Sequence, residues 1–295
     1  MNAPAAPASF PGTGTPSACQ VLRSACDPRS TGPGPLDGGI EPFGVLLEHA
    51  ILAKLTCLVA DWLTRRDGAA RLPRPVRHFL DTQLRVNRHR WRLHHRETAR
   101  VITALDACGI PAAAINGIAC ASLLYDGRGT REYTDADILI PDGTAGTAAR
   151  ILAGLGYAPA GPGAAALRRD LGDPVVPGIT VDLTSRLAHA DGPAAAAAAL
   201  ARRVPAPPWT QAPEPLPVLA RDDGFAHTLA RLTARPRWPG LADALRYALR
   251  SDATPPTASA PSLPPPAAAG WELVRRCWPE LPARPPLTGT APQIP

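Results

Sequence analysis

The sequence predicts an α/β (α+β) fold: a small mixed sheet between an N-terminal helical segment and C-terminal helices. Three observations carry this. Apolar residues recur at helical spacing on both sides of a central region. The central region instead holds short apolar runs bounded by Gly-rich turns, which read as strands. Hydrophobic residues make up 45% of the 295 positions, enough to bury a core.

The elements follow in order. Residues 1–38 are rich in Pro, Gly, Ser and Thr and are expected to be disordered. Residues 39–108 are a helical segment. Leu47, Ile51, Leu55, Leu58 and Trp62 form one apolar face over 41–66, and Arg71-Leu-Pro-Arg-Pro75 breaks that helix. A second, long helix is expected from about Pro75 to Cys108, stopped by Gly109 as a left-handed cap. Residues 109–204 are the expected α/β core. Within it, 110–115 reads as a buried strand, 117–125 as a buried helix, and 136–140 as a strand. An amphipathic helix over 144–155 stops at Gly156, Tyr157 and Ala158 begin another strand, 179–183 alternates as a half-buried strand, and 194–203 is helical. Residues 205–220 read as a Pro-rich linker, 221–250 as one or two helices, and 251–295 as a Pro/Ala-rich, partly disordered tail.

Composition excludes several classes. Nearly all basic charge is arginine, and Lys54 is the only lysine, a bias that matches a GC-rich genome more than a functional demand. The net charge of +6 still permits an anionic partner. None of the six cysteines forms a C-x-x-C pair, which argues against zinc, and Cys57, Cys108 and Cys120 lie in apolar stretches suited to buried thiols. There is no signal-peptide pattern and no apolar run long enough to span a bilayer, so a cytoplasmic protein without membrane partners is expected.

The chemistry concentrates in Arg131-Glu-Tyr-Thr-Asp-Ala-Asp-Ile-Leu-Ile140. Residues i and i+2 of a strand share a face, so Asp135 and Asp137 point the same way. Two carboxylates this close repel unless a divalent cation sits between them, and an all-oxygen site suits Mg²⁺ or Mn²⁺. Asp182, in Ile179-Thr-Val-Asp-Leu-Thr184, becomes a third carboxylate if the two strands pair. Three carboxylates can hold two metal ions, and Asp182 is then the natural general base.

These residues resemble the polymerase-β-type nucleotidyltransferase superfamily, and more closely its bacterial branch of uncharacterised nucleotidyltransferase proteins. The resemblance is carried by Ala114-Ile-Asn-Gly-Ile-Ala-Cys-Ala-Ser-Leu-Leu-Tyr125, Arg131, Asp135-Ala-Asp-Ile-Leu-Ile140, Gly156-Tyr157, Val181-Asp-Leu-Thr-Ser-Arg-Leu187, His227 and Asp243, and it covers about residues 45–250. It implies transfer of a nucleoside monophosphate from an NTP to an acceptor with release of pyrophosphate. The acceptor class, whether small molecule, RNA or protein, stays open. The resemblance assigns Asp135, Asp137 and Asp182 to metal and catalysis, and Asn116, Gly117 and Arg131 to the nucleotide. Two positions depart from the pattern: Asn116 stands where the branch commonly has Lys, and Ile118 offers no hydroxyl to a phosphate. A catalytically impaired binder of nucleotide or partner is therefore one alternative. A toxin-like enzyme acting on tRNA or protein is another.

Further candidates carry competing assignments. Arg131 suits a phosphate or a structural ion pair, His227 the site or a hydrogen-bonded core, and Asp243 a brace for a neighbouring element. Residues 64–100 hold eleven arginines, a platform for RNA or a solvated helix face, the latter being simpler. The adjacent His94 and His95 splay about 100° apart on a helix and make no metal pair.

Overall fold

Short apolar runs in the central region pair edge to edge, because a lone strand leaves its backbone groups unsatisfied. A computed structural model describes residues 18–30, 40–64, 72–161, 165–249, 263–283 and 285. Among the described residues one mixed sheet has seven strands: β1 (Ala113–Ile115), β2 (Ala136–Leu139), β3 (Ala158–Pro159), β4 (Leu167–Asp170), β5 (Gly178–Thr184), β6 (Val204–Pro205) and β7 (Pro217–Val218). Their order is β3-β4-β5-β2-β1-β7-β6. β2 is central, antiparallel to β1 and parallel to β5.

The helices are α1 (Ala18–Cys26), α2 (Ile40–Leu52), α3 (Thr56–Thr64), α4 (Arg74–Ala107), α5 (Asn116–Leu124), α6 (Ala145–Gly154), α7 (Pro193–Ala201), α8 (Arg221–Ala234), α9 (Trp238–Leu249) and α10 (Pro265–Cys277). Strand alternation divides the sheet between two cores. Ala114, Ile138 and Val181 join Trp91, Ile102 and Leu105 of α4 and Leu152 of α6 on one face. Ala113, Ile115 and Leu139 join Ala196, Ala199 and Leu200 of α7 on the other. A third core gathers α1 to α3, the first turns of α4, and α8 to α10. α5 connects these regions, giving Ile118 and Ala121 to the sheet core and Cys120 and Leu124 to the helical one. α4 runs about 51 Å at 1.5 Å per residue and serves both cores. It ends at Gly109, whose φ of 76° is the expected left-handed cap. No described helix is long and apolar enough to cross a membrane.

The structure differs from the sequence expectations in several places. The single helix expected over 41–66 is two, α2 and α3, broken at Lys54 with φ 55°; Arg65 and Arg66 lie outside the described residues. Within the segment read as a disordered N-terminus, α1 buries Val21, Leu22, Ala25 and Cys26, a helical face that the surrounding Pro and Gly conceal. The stretch 205–220, read as a linker, completes the sheet edge: Leu216 and Val218 are fully buried, and a proline at the end of a short strand gives up no central ladder bond. β4 pairs with β5 through Arg168 and Arg169, polar residues that concealed the strand. Cys108, expected to be buried, is exposed at the end of α4. The rest of the expected disorder, at 1–17, 31–38, 251–262, 284 and 286–295, lies outside the described residues.

The segment read as a tail also holds α10, which lies against α8 with Trp271 and Trp278 buried. Contact is so close at Gly270 that an added Cβ would lie 1.9 Å from the Leu229 carbonyl oxygen, so any side chain must force the two helices apart. Gly270→Ala is expected to cost about 1–3 kcal/mol, read as a lowered denaturant midpoint. An unchanged midpoint would mean that α10 contributes nothing to folding.

Candidate functional site

The acidic residues meet at the centre of the sheet. Parallel pairing of β2 with β5 sets Asp137 directly beside Asp182, at a strand spacing of about 4.8 Å. Asp135 stands one residue ahead of β2. All three line one cavity of about 310 Å³, together with Asn116, Gly117 and Arg131. Burial, then the neighbouring Asp135, pushes the Asp137 carboxyl up to about 6, against a hydrogen bond from Asn116 that favours its charged form. Asp182 is raised too, by burial and by Asp135. An all-carboxylate donor set under mutual repulsion fits a hard divalent cation. As the side chains stand, however, no group of three or more His, Cys, Asp or Glu among the described residues is gathered closely enough to hold a metal ion. Only Asp137 and Asp182 share a rung, since Asp135 lies outside the strand ladder.

Asn116, Gly117 and Arg131 reach the cavity, but each is already engaged. Asn116 opens α5 at φ 56°, a left-handed conformation that asparagine tolerates. Its Oδ1 lies 3.0 Å from His227 Nε2, and His227 Nδ1 accepts the Ala188 N–H at 3.0 Å. The accepting Nδ1 leaves the imidazole proton on Nε2, so the Asn116 amide NH₂ is the group turned to Asp137. Burial and the nearby Arg231 lower the His227 pKa to about 3, which keeps this relay neutral. At Gly117 a Cβ would come within 2.7 Å of the Tyr133 Cβ, so the missing side chain admits Tyr133. Ile118 points into the sheet core and is fully buried.

Arg131 forms a buried, two-pronged ion pair with Asp243 of α9. Its Nη2 donates to Oδ2 at 2.7 Å and its Nε to Oδ1 at 2.8 Å, while Nη1 donates to the Glu132 carbonyl. The Tyr125 hydroxyl donates to the same Oδ1 at 2.7 Å, and the Arg246 guanidinium lies over the Tyr125 ring at 4.2 Å. Of the two assignments open for Arg131, the structure thus displays the ion pair. Asp243 is the brace.

Four cations that sequence reasoning did not select line the same cavity: Lys54, between α2 and α3, and Arg231, Arg235 and Arg237, where α8 gives way to α9. One signal for them was legible, since Lys54 is the only lysine in an arginine-rich chain. Several of the other basic and histidine candidates have protein partners in this fold. His95 is buried between the Ser122 hydroxyl and the Glu214 carbonyl, both at 3.0 Å. On α4, Arg88 donates to the Arg128 carbonyl and Arg92 to Gln211, so both brace loops. Arg186 is exposed beyond β5.

A family model described as "Uncharacterised nucleotidyltransferase" matches residues 43–249. No curated protein sequence matches the chain. Among solved structures, an antigenic nucleotidyltransferase-like protein from Paracoccidioides brasiliensis aligns with a TM-score of 0.45 at 12% identity, over 63% of this chain and 88% of that one.

Two outcomes test this geometry. Asp243→Asn removes the countercharge of a buried guanidinium and is expected to cost about 3–5 kcal/mol in chemical denaturation; a loss below 1 kcal/mol, as for an exposed pair, would contradict its burial. The second concerns pH. The folded Asp137 pKa lies above its unfolded value, so the folded state binds the proton more tightly and loses stability as pH rises from about 4 to about 6. Asp137→Asn should therefore be more stable than the wild type at pH 7–8, with the difference vanishing near pH 4. A constant difference across that range would exclude the raised pKa.

Proposed function

This chain belongs to the uncharacterised nucleotidyltransferase family, and from that premise we propose that it transfers a nucleoside monophosphate from an NTP to an acceptor, with pyrophosphate leaving. The supporting observation is the pairing of Asp137 with Asp182 on one rung, beside Asp135, in a cavity large enough to admit the reacting part of a nucleotide. Asp135 and Asp137, with Asp182, are the residues that would hold Mg²⁺ or Mn²⁺. The cation would neutralise charge on the triphosphate and the departing pyrophosphate. Asp182, half-buried like Asp135 and Asp137, is the member that would take the proton of an attacking hydroxyl. The oxygen of that hydroxyl bonds to the α-phosphorus as the bond from that phosphorus to the bridging oxygen breaks. Asn116, fixed by His227, orients the Asp137 carboxylate, and the Arg131–Asp243 pair holds the cavity wall.

A second reading is a member that binds nucleotide or a partner without turnover. It is favoured by one observation: Asn116, Gly117 and Arg131 are each committed to a protein neighbour. The two readings separate on pyrophosphate release from the four common NTPs with Mg²⁺ or Mn²⁺. Turnover predicts metal-dependent release, lost in Asp137→Asn and lowered about 100-fold or more in Asp182→Asn. Saturable NTP binding with no release by wild type would select the silent binder. No binding at millimolar NTP with metal would end both.

A further inference from the structure

Both pack at the same cavity, but the acids and the four cations come from different parts of the chain. The acids stand on the sheet; Lys54 and Arg231, Arg235 and Arg237 stand on two helix junctions. Among the described residues none of the four forms an ion pair, although elsewhere arginines meet carboxylates repeatedly. Lys54, Arg235 and Arg237 are exposed, with their charged groups free to meet a ligand.

Lys54 also sits in a conformation that its residue type disfavours. After α2, the Leu55 N–H donates to the Ala50 carbonyl at 2.8 Å and the Lys54 N–H to the Ile51 carbonyl at 3.0 Å. This is the Schellman closure, in which the left-handed residue is usually glycine. The same pair of bonds ends α4 at Gly109 and α6 at Gly156, with φ of 76° and 87°. At the third such closure the chain places its only lysine, at φ 55°. A side chain in the left-handed region is strained, and strain kept at the rim of a cavity is a mark of function.

Resting on the nucleotidyltransferase reading, we infer that Lys54, with Arg231, Arg235 and Arg237, forms the wall that takes the phosphate chain of the NTP, facing the acids across the cavity. This wall supplies what the start of α5 does not offer, since Ile118 is buried and the space beside Gly117 is filled by Tyr133. Inorganic tripolyphosphate carries the same recognised chemistry without a base or sugar. It separates phosphate recognition from base recognition, and from an acceptor's single phosphate.

The test is Lys54→Gly in the full chain, read by titration with tripolyphosphate, with ATP and with inorganic phosphate, each with Mg²⁺, and by thermal unfolding. Glycine relieves the backbone, so Tm should equal or exceed that of the wild type, while tripolyphosphate and ATP each bind about tenfold more weakly. Lys54→Arg, which keeps the charge, should recover most of the affinity, and Arg235→Gln should weaken binding in the same direction. In the wild type, the single lysine side chain, ¹³C-labelled by reductive methylation, should shift its resonance on adding tripolyphosphate. Equal ATP affinity in wild type and Lys54→Gly overturns the inference and leaves the nucleotidyltransferase reading standing. Weakened inorganic phosphate binding with unchanged tripolyphosphate and ATP binding assigns the wall to an acceptor phosphate and also overturns it. Absence of all ATP and tripolyphosphate binding in the wild type removes both.

Discussion

The Arg131–Asp243 pair is the contact on which the site's architecture depends. It joins the loop ahead of β2 to α9, and so ties the sheet that carries the acids to the helices that carry the cations. Both side chains are nearly out of solvent, at 12% and 4% exposure, so neither charge is tolerable alone. Tyr125 donates to the same carboxylate from the end of α5, and burial followed by the nearby Asp243 charge raises its pKa well above the ordinary value, which keeps it protonated as a donor. A two-pronged pair also fixes orientation, which a hydrophobic contact of equal area would not.

The second constraint is how the acids and their support divide over the sheet. Ala136 and Ile138 anchor β2 in one core while Asp137 faces the other way, toward the cavity. Strand alternation therefore couples fold stability to the placement of the carboxylate. His227 extends that placement outward: a neutral imidazole, held by the Ala188 amide, fixes which end of Asn116 meets Asp137. Neither His227 nor Asn116 contributes charge. Their role is direction.

Much of the fold was legible in the sequence. The core strands and helices announce themselves by period, because burial on one face imposes a repeat that composition does not hide. Three segments were not legible for a shared reason. α1, β7 and α10 sit among prolines, and proline-rich composition reads as disorder even where a few apolar side chains find a partner. The stretch over α2 and α3 has one continuous apolar pattern, so its break at Lys54 left no trace in periodicity.

The sequence by itself pointed to Asp135 and Asp137 as neighbouring acids at the start of one strand, from its two-residue repeat, and it identified Asp182 as a candidate third acid. Tertiary structure alone decided that β2 and β5 pair in the register that sets Asp137 beside Asp182. It alone decided that Arg131 faces Asp243, 112 residues later, and that Lys54 and the α8–α9 arginines close the same cavity. The physical reason is range. Period and cap chemistry act over a few residues, whereas pairing register, buried ion pairs and the walls of a cavity are set by which distant surfaces must be buried together.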